Sequence, residues 1–139
     1  MDTPLQIRGL DHIVLRVAHL DRTLAFYRDV LGCAVERAQP DIGLWQLRAG
    51  RSLVDLVPVQ GPLGREGGPP PGTDGHNLDH VCFRLEEFDQ LAIREHLARH
   101  GVQADAVANR YGADGDGPSL YLRDPEGNRI ELKGGQAPS

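Results

Sequence analysis

An internal repeat constrains this fold more than any other feature of the sequence. The tripeptide Leu-Asp-His at residues 10–12 recurs at residues 78–80, and each copy opens an apolar run, LDHIVLRV and LDHVCFRL, with an arginine at the same place. A repeat that spans half of a 139-residue chain indicates two copies of one module. It also puts His12 and His80 in equivalent positions, as expected where two modules supply paired ligands to one site.

Length and charge exclude several classes of protein. The chain has room for one domain, or for two small modules that share a core. A net charge of −5 and a single lysine, Lys133, argue against a nucleic-acid partner. No apolar run approaches a membrane span, and the first residues lack the pattern of a signal peptide. We therefore expect a cytoplasmic protein in which Cys33 and Cys82 are reduced thiols.

Apolar periodicity predicts the same plan in both halves: a strand, a helix and further strands. The first module is predicted over 8–59, a linker rich in Gly and Pro over 60–77, and the second module over 78–134. Strands are predicted at 10–17, 34–37, 43–48 and 53–59 in the first module, and at 79–85, 102–107, 119–123 and 129–133 in the second.

Local signals mark the ends of the predicted helices and turns. Asp21 is a candidate N-cap for the first helix, and Gly32 is a candidate left-handed C-cap. The second helix is predicted from about 87 to 100. The linker is expected to hold no regular element, and 112–118, GADGDGP, is expected to be a flexible loop.

Three segments of the chain resemble the vicinal oxygen chelate superfamily: LDHIVLRVAHLDRTLAFYRDVLG, LDHVCFRL and YLRDPEGNRIEL. This superfamily contains glyoxalase I, extradiol dioxygenases, fosfomycin-resistance enzymes and bleomycin-binding proteins, and the resemblance covers roughly residues 10–133. It implies an α+β fold of two tandem βαβββ modules, whose strands form a curled mixed sheet around a shared cavity. It does not specify one reaction, because this scaffold hosts several chemistries.

His12, His80 and Glu131 are the predicted metal ligands. Two neutral imidazoles and one carboxylate leave positions on a metal open for substrate or water. Metal-dependent members of the resembled family carry ligands at these positions. A single strand histidine would more simply be a core residue, but two at a repeat offset together with Glu131 favour a site for one divalent ion, Ni, Zn, Mn or Fe.

Asp55, Tyr121 and Glu131 are the predicted catalytic residues. Asp55 stands where glyoxalase I-like members have a carboxylate, usually Glu; the shorter Asp could act through water, orient a ligand, serve as a base, or lie exposed at a strand end. Tyr121 precedes Asp-Pro-x-Gly in a pattern that resembles the extradiol dioxygenase signature, although it could equally be a packing residue. Glu131 or Asp55 could move a proton on the substrate carbon next to a chelated oxygen.

The resulting prediction is a metal-dependent lyase or isomerase of the glyoxalase type, with a small-molecule substrate and no membrane or nucleic-acid partner. The alternatives are an Fe(II) extradiol-type dioxygenase and a metal-free binding protein of the bleomycin-resistance type. Arg16 and Arg84 share the histidines' face of their strands and are candidates to bind an anionic substrate or to pair with carboxylates. The resemblance also implies a homodimer, because in small metal-dependent members of this family the first module of one chain commonly faces the second module of its partner. The linker at 60–77 is long enough for such an exchange.

Overall fold

Two four-stranded sheets, one from each half of the chain, make up the computed structural model, which describes residues 3–135. The first half runs β1, α1, a π-helical turn, β2, β3 and β4. In the first sheet the strands lie in the order β1-β4-β3-β2, with β1 parallel to β4 and the other pairs antiparallel. The elements are β1 (His12–Val17), α1 (Leu20–Ala25), the π-helical turn (Phe26–Val30), β2 (Val35–Gln39), β3 (Leu44–Ala49) and β4 (Ser52–Pro58).

The second half repeats this arrangement, which confirms the predicted α+β fold. Its strand order is β5-β8-β7-β6, again with the first and last strands of the module parallel. The two sheets are separate rather than joined into one. The elements are β5 (Val81–Arg84), α2 (Gln90–Arg99), β6 (Ala108–Gly112), β7 (Gly115–Arg123) and β8 (Arg129–Lys133).

The predicted position of the sixth strand is wrong. The segment 102–107 holds only an isolated bridge, Ala104 to Leu122, and β6 begins at Ala108. The supposed flexible loop 112–118 instead forms the tight turn of the β6–β7 hairpin and the first residues of β7. Its glycines serve the ladder: a Cβ on Gly117 would overlap the carbonyl oxygen of Gly134. Glycine here permits close approach of two backbones and does not loosen the chain.

The segment between the modules also differs from its prediction, because it contains a short 3-10 turn at Gly64–Gly67. The left-handed C-cap at Gly32 is confirmed by its φ of 77°. Asp21 is not the N-cap of α1. That position belongs to His19, whose side chain makes no capping hydrogen bond.

A carboxylate from the second half of the chain caps the start of α1. Glu126 accepts hydrogen bonds from the backbone N–H groups of Ala18 and His19, at 2.7 and 2.8 Å, and from the Thr23 hydroxyl at 3.1 Å. A negative charge at this end also complements the helix dipole. The turn between β7 and β8 therefore stabilises the first helix.

One hydrophobic core joins both halves. Alternation along β1 buries Leu15 and Val17 on the core side and leaves His12 and Val14 on the opposite, open face. The buried residues of the cluster come from both sheets and both helical segments: Leu15, Val17, Phe26, Tyr27, Cys33, Leu47, Val54, Leu56, Leu97, Leu120, Leu122, Ile130 and Leu132. The halves thus pack through one side of each sheet, and the histidine-bearing side of β1 remains open. Within residues 3–135, no helix is long and apolar enough to cross a membrane.

Candidate metal centre

The imidazole of His12 has a fixed orientation at the start of β1. Its Nδ1 lies 2.7 Å from Oδ1 of Asp11. Because an ionised carboxylate can only accept, Nδ1 carries the proton and Nε2 presents its lone pair. The hydrogen bond to Asp11, followed by the charge of Asp55, raises the pKa of His12. Hydrogen-bonding of the second ring nitrogen to a carboxylate is the arrangement that metal-binding histidines use.

Asp55 lies on the same open face, on β4, and is buried. The register pairs it with Val14, two residues beyond His12. Its two oxygens lie 3.4 and 3.3 Å from Nε2 of Gln46, which occupies the facing position on β3. The alternative of a solvent-exposed strand-end Asp is therefore wrong. An acid that is buried beside an imidazole and held by an amide is suited to a role in the site.

His80 repeats the geometry of His12 in the second half. Its Nδ1 lies 2.6 Å from Oδ1 of Asp79, and this hydrogen bond lowers the pKa of Asp79. Its Nε2 lies 3.3 Å from Oε1 of the buried Glu131. Two ligands bound to one ion at right angles, with bonds of ~2.1 Å, stand about 3.0 Å apart. The His80 and Glu131 donors therefore fit a shared metal ion with little movement.

Tyr121 adjoins this pair of donors. The register places it directly opposite Glu131, and its ring meets the His80 ring edge-on at a centroid distance of 5.4 Å. Burial, the charge of Glu131 and a hydrogen bond to Glu131 raise the pKa of Tyr121. Its hydroxyl is therefore protonated at neutral pH and can donate to Glu131.

Cys82 is next to Glu131 in the sheet but is a poor candidate for a nucleophile or a metal ligand. It pairs in register with Glu131. Burial and the charge of Glu131 raise the pKa of its thiol to about 11. The thiolate, which is the nucleophilic and metal-binding form, is therefore scarce at neutral pH.

The predicted ligands thus fall into two half-sites, one in each sheet. We call His12 with Asp55 the first half-site and His80 with Glu131 the second half-site. Among residues 3–135 there is no group of three or more His, Cys, Asp or Glu side chains placed to hold a metal ion. The donor types and the Nε2 orientations suit a divalent ion. Within the described part of one chain, each half-site holds only two of the predicted ligands, and the two half-sites do not meet.

Arg16 and Arg84 already have partners in this chain, and their assignment to substrate binding stays a prediction. Arg16 donates to four carbonyl oxygens of the segment between the modules, those of Gly64, Gly67, Gly68 and Pro69. Arg84 forms an ion pair with Asp114 at 2.6 Å. One arginine anchors a loop and the other anchors the β6–β7 turn.

Sequence reasoning missed four residues that adjoin these half-sites. The aspartates that orient the histidines, Asp11 and Asp79, were visible as part of the repeat itself. The other two are Arg110 and Arg129, whose guanidinium carbons lie 4.6 and 4.1 Å from the centroid of the Tyr121 ring. Period-two alternation from Glu131 places Arg129 on its face, whereas Arg110 required the correct position of β6.

The match to known proteins agrees with this geometry. The sequence model of the Glyoxalase/Bleomycin resistance protein/Dioxygenase superfamily matches residues 9–132. This chain belongs to that superfamily. The match spans both half-sites and nearly all of the strands described above.

Three relatives illustrate the range of this family. The chain is 32% identical to the glyoxalase domain-containing protein RDO1 of Mycosarcoma maydis, over 92% of this chain and 69% of that protein. It is 27% identical to the virulence protein STM3117 of Salmonella typhimurium, over 91% of this chain and 83% of that protein. The crystal structure of STM3117 superposes on this chain with a TM-score of 0.78, over 95% of this chain and 100% of that one. It is 26% identical to the metallothiol transferase FosB of Staphylococcus epidermidis, over 94% of this chain and 84% of that protein.

Proposed function

We propose that this protein is a metal-dependent enzyme of the glyoxalase type, which binds a small substrate through two neighbouring oxygen atoms and performs isomerase or lyase chemistry. One observation carries the proposal: each half of the chain presents a histidine with its Nδ1 bound to an aspartate, beside a buried carboxylate. In the second half, Nε2 of His80 also faces the carboxylate of Glu131 at 3.3 Å, an arrangement that a core histidine would not need. Membership of the superfamily and the name of the FosB relative support a metal.

His12 and His80 would bind the ion through Nε2, and Glu131 through its carboxylate. Asp55 is the candidate for a fourth ligand or for a base that acts through water. A divalent ion in this position polarises a bound carbonyl and stabilises negative charge on the neighbouring oxygens. The ion would be Ni, Zn, Mn or Fe.

Glu131 and Asp55 are the proposed proton carriers. Each is buried on the face that also holds a histidine, so each could reach the substrate carbon next to a chelated oxygen. Tyr121, which the register places opposite Glu131, would orient this carboxylate for the transfer through its hydroxyl. These three residues are therefore the proposed catalytic set.

We further propose that a complete site forms in a homodimer, with the first half-site from one chain and the second half-site from its partner. The side chains of His12 and His80 are 47% and 32% exposed, so both half-sites are open to an incoming surface. Leu10 and Val14, which flank His12, are exposed apolar residues that a partner would cover. A symmetric dimer would contain two equivalent sites.

Metal analysis tests the enzyme proposal directly. Protein purified without an affinity tag should contain one divalent ion per chain by elemental analysis. His80→Ala should remove most of this metal and retain the circular dichroism spectrum, because the side chain lies at an open face. His100→Ala, at the residue that follows α2, is the matched control. The metal assignment is wrong if the His12→Ala, His80→Ala and Glu131→Ala variants all keep full occupancy.

Mixing two variants tests the assembly. A His12→Ala chain and a Glu131→Ala chain should each bind little metal alone. After joint refolding, a mixed dimer with exchanged halves has one site with both lesions and one intact site. About a quarter of all sites should then recover metal, since half of the dimers are mixed. If each chain built its own site, every site would keep a lesion and no metal would return.

The identity of the metal also separates the alternatives. Tyr121, beside His80 and opposite Glu131, is the observation that favours a ring-cleaving dioxygenase. Iron content together with oxygen consumption on a catechol would support that reaction. Nickel, zinc or manganese, together with solvent deuterium incorporation into a 2-hydroxy or 2-oxo compound, would support isomerase or lyase chemistry. Metal-free protein that binds an aromatic compound would support a sequestration role.

A further inference from the structure

Tyr121 lies between two cations from neighbouring strands. Arg110 on β6 and Arg129 on β8 flank β7, and both guanidinium groups stack on the Tyr121 ring at 4.6 and 4.1 Å from its centroid. The register puts all three residues on the face of the sheet that carries Glu131. Stacking of this kind holds a guanidinium in a fixed plane and leaves its edge free to bind.

The charges of these two arginines are poorly compensated. Arg110 is oriented by hydrogen bonds from Nη1 to the backbone oxygen and the hydroxyl of Ser119, and it pairs with no carboxylate among residues 3–135. Among the carboxylates of the described residues 3–135, Arg129 reaches only that of Asp79, at 4.0 Å, and the Asp79 side chain is 83% exposed and already bonded to His80. By contrast, Arg84 on the same sheet has a close partner in Asp114.

The two cations lie within the reach of a small molecule from the second half-site. The Tyr121 ring on which they stack is 5.4 Å from the His80 ring. An open cavity of about 690 Å³ borders Tyr121 and Arg129. Its lining includes two acids, Asp105 and Asp124, and Asp124 already accepts hydrogen bonds from Tyr27 and Asn128. A compound that chelates through two oxygens at His80 and Glu131 can therefore extend an anionic group to the arginines.

We propose that Arg110 and Arg129 bind an anionic group of the substrate, a carboxylate, phosphate or phosphonate, at the end opposite its chelating oxygens. This proposal rests on the proposed function for the metal, and it narrows the substrate class to anionic oxygen chelators. Two guanidinium groups held against one aromatic ring provide paired N–H donors, which suit an oxyanion. The carboxylate and phosphoryl sources differ in charge and geometry, so the test includes both.

Three hydroxamates with one chelating group provide the probes: acetohydroxamate, succinic monohydroxamate and phosphonoacetohydroxamate. Calorimetric titration of zinc-loaded protein should show at least one anionic probe binding about tenfold or more tightly than acetohydroxamate. Arg110→Gln and Arg129→Gln should each reduce this advantage, and the double variant should abolish it. Zinc content and acetohydroxamate affinity should not change. Arg99→Gln on α2 is the matched control and should keep the full advantage.

A second measurement uses metal-free protein, so that it stays decisive if zinc does not bind. Titration with inorganic phosphate should shift the side-chain Nε–H signals of Arg110 and Arg129 saturably, at constant ionic strength set with chloride. If zinc fails to bind but phosphate shifts these signals, the metal proposal fails and the anion site stands. If zinc binds, the three probes bind equally and phosphate shifts neither signal, the anion site is refuted and the proposed function stands.

Discussion

The two half-sites have the same backbone and different chemistry. In the first, Asp55 pairs with Val14 and faces Gln46; in the second, Glu131 pairs with Cys82 and faces Tyr121. Each carboxylate therefore stands at the same place relative to its histidine. The repeat has preserved the register of the ladder while the side chains on it have diverged.

This divergence assigns unequal roles to the two sheets. The longer Glu131 reaches Nε2 of His80 at 3.3 Å, whereas the shorter Asp55 interacts with His12 through its charge and accepts its hydrogen bonds from Gln46. The second half also carries Tyr121 with its two stacked arginines. We infer that the second sheet provides most of the substrate contacts and the first completes the metal set.

Replacing each carboxylate with its amide tests whether Glu131 and Asp55 contribute equally to metal binding. The loss of metal affinity in these variants is the largest effect that we expect. Glu131→Gln should weaken metal binding by more than about 100-fold, and Asp55→Asn by about 10- to 100-fold, the range for groups that support a ligand. Dissociation constants from competition with a fluorescent chelator would measure both. Equal losses would make Asp55 a direct ligand and remove the inequality between the halves.

From the sequence, His12 could be predicted as a ligand because of the repeat, and Asp55 as a site residue because of the resemblance to glyoxalase I-like proteins. The register equivalence of Asp55 and Glu131 could not, because it depends on which residues of β4 and β8 pair with β1 and β5. Arg110 was missed for a related reason. The glycines around it indicate a loop by local propensity, whereas in the structure they allow close packing of the β6–β7 hairpin against Gly134.

The next largest effect is expected on the free energy of unfolding, at the contact where Tyr27 of the first half meets Asp124 of the second. The Tyr27 hydroxyl donates to Asp124 at 2.7 Å, in a buried network that Asn128 completes. Tyr27→Phe should lower the free energy of unfolding by about 1.5–3 kcal/mol, as for a buried hydrogen bond to a charged group. Urea denaturation at pH 7 would measure this, with Tyr111→Phe at an exposed position as the control. No loss would mean that the halves do not depend on this contact.

The same contact should make the protein sensitive to alkali. Burial, then the charge of Asp124, raises the pKa of Tyr27 well above its usual 10.0. Deprotonation is therefore easier in the unfolded chain, and the stabilisation is complete below pH 10 and is lost as pH rises further. The free energy of unfolding should fall above pH 10 with a contribution from Tyr27 of up to about 1.4 kcal/mol per pH unit. Parallel slopes for the wild type and Tyr27→Phe would contradict this assignment, since the other alkaline groups are common to both proteins.

The smallest effects should separate the two equivalent arginines. Arg16 donates to four carbonyl oxygens that it fixes around the Gly64–Gly67 turn, whereas the Arg84–Asp114 pair is 64% and 50% exposed. Arg16→Gln should cost about 1–2 kcal/mol and speed amide hydrogen exchange in the segment 60–77, because charged hydrogen bonds to several backbone groups are lost. Arg84→Gln should cost less than about 1 kcal/mol and leave exchange in that segment unchanged, as expected of an exposed ion pair. Equal exchange in both variants would show that the linker does not depend on Arg16, and its side chain would then be free for the anionic substrate that its position on β1 predicts.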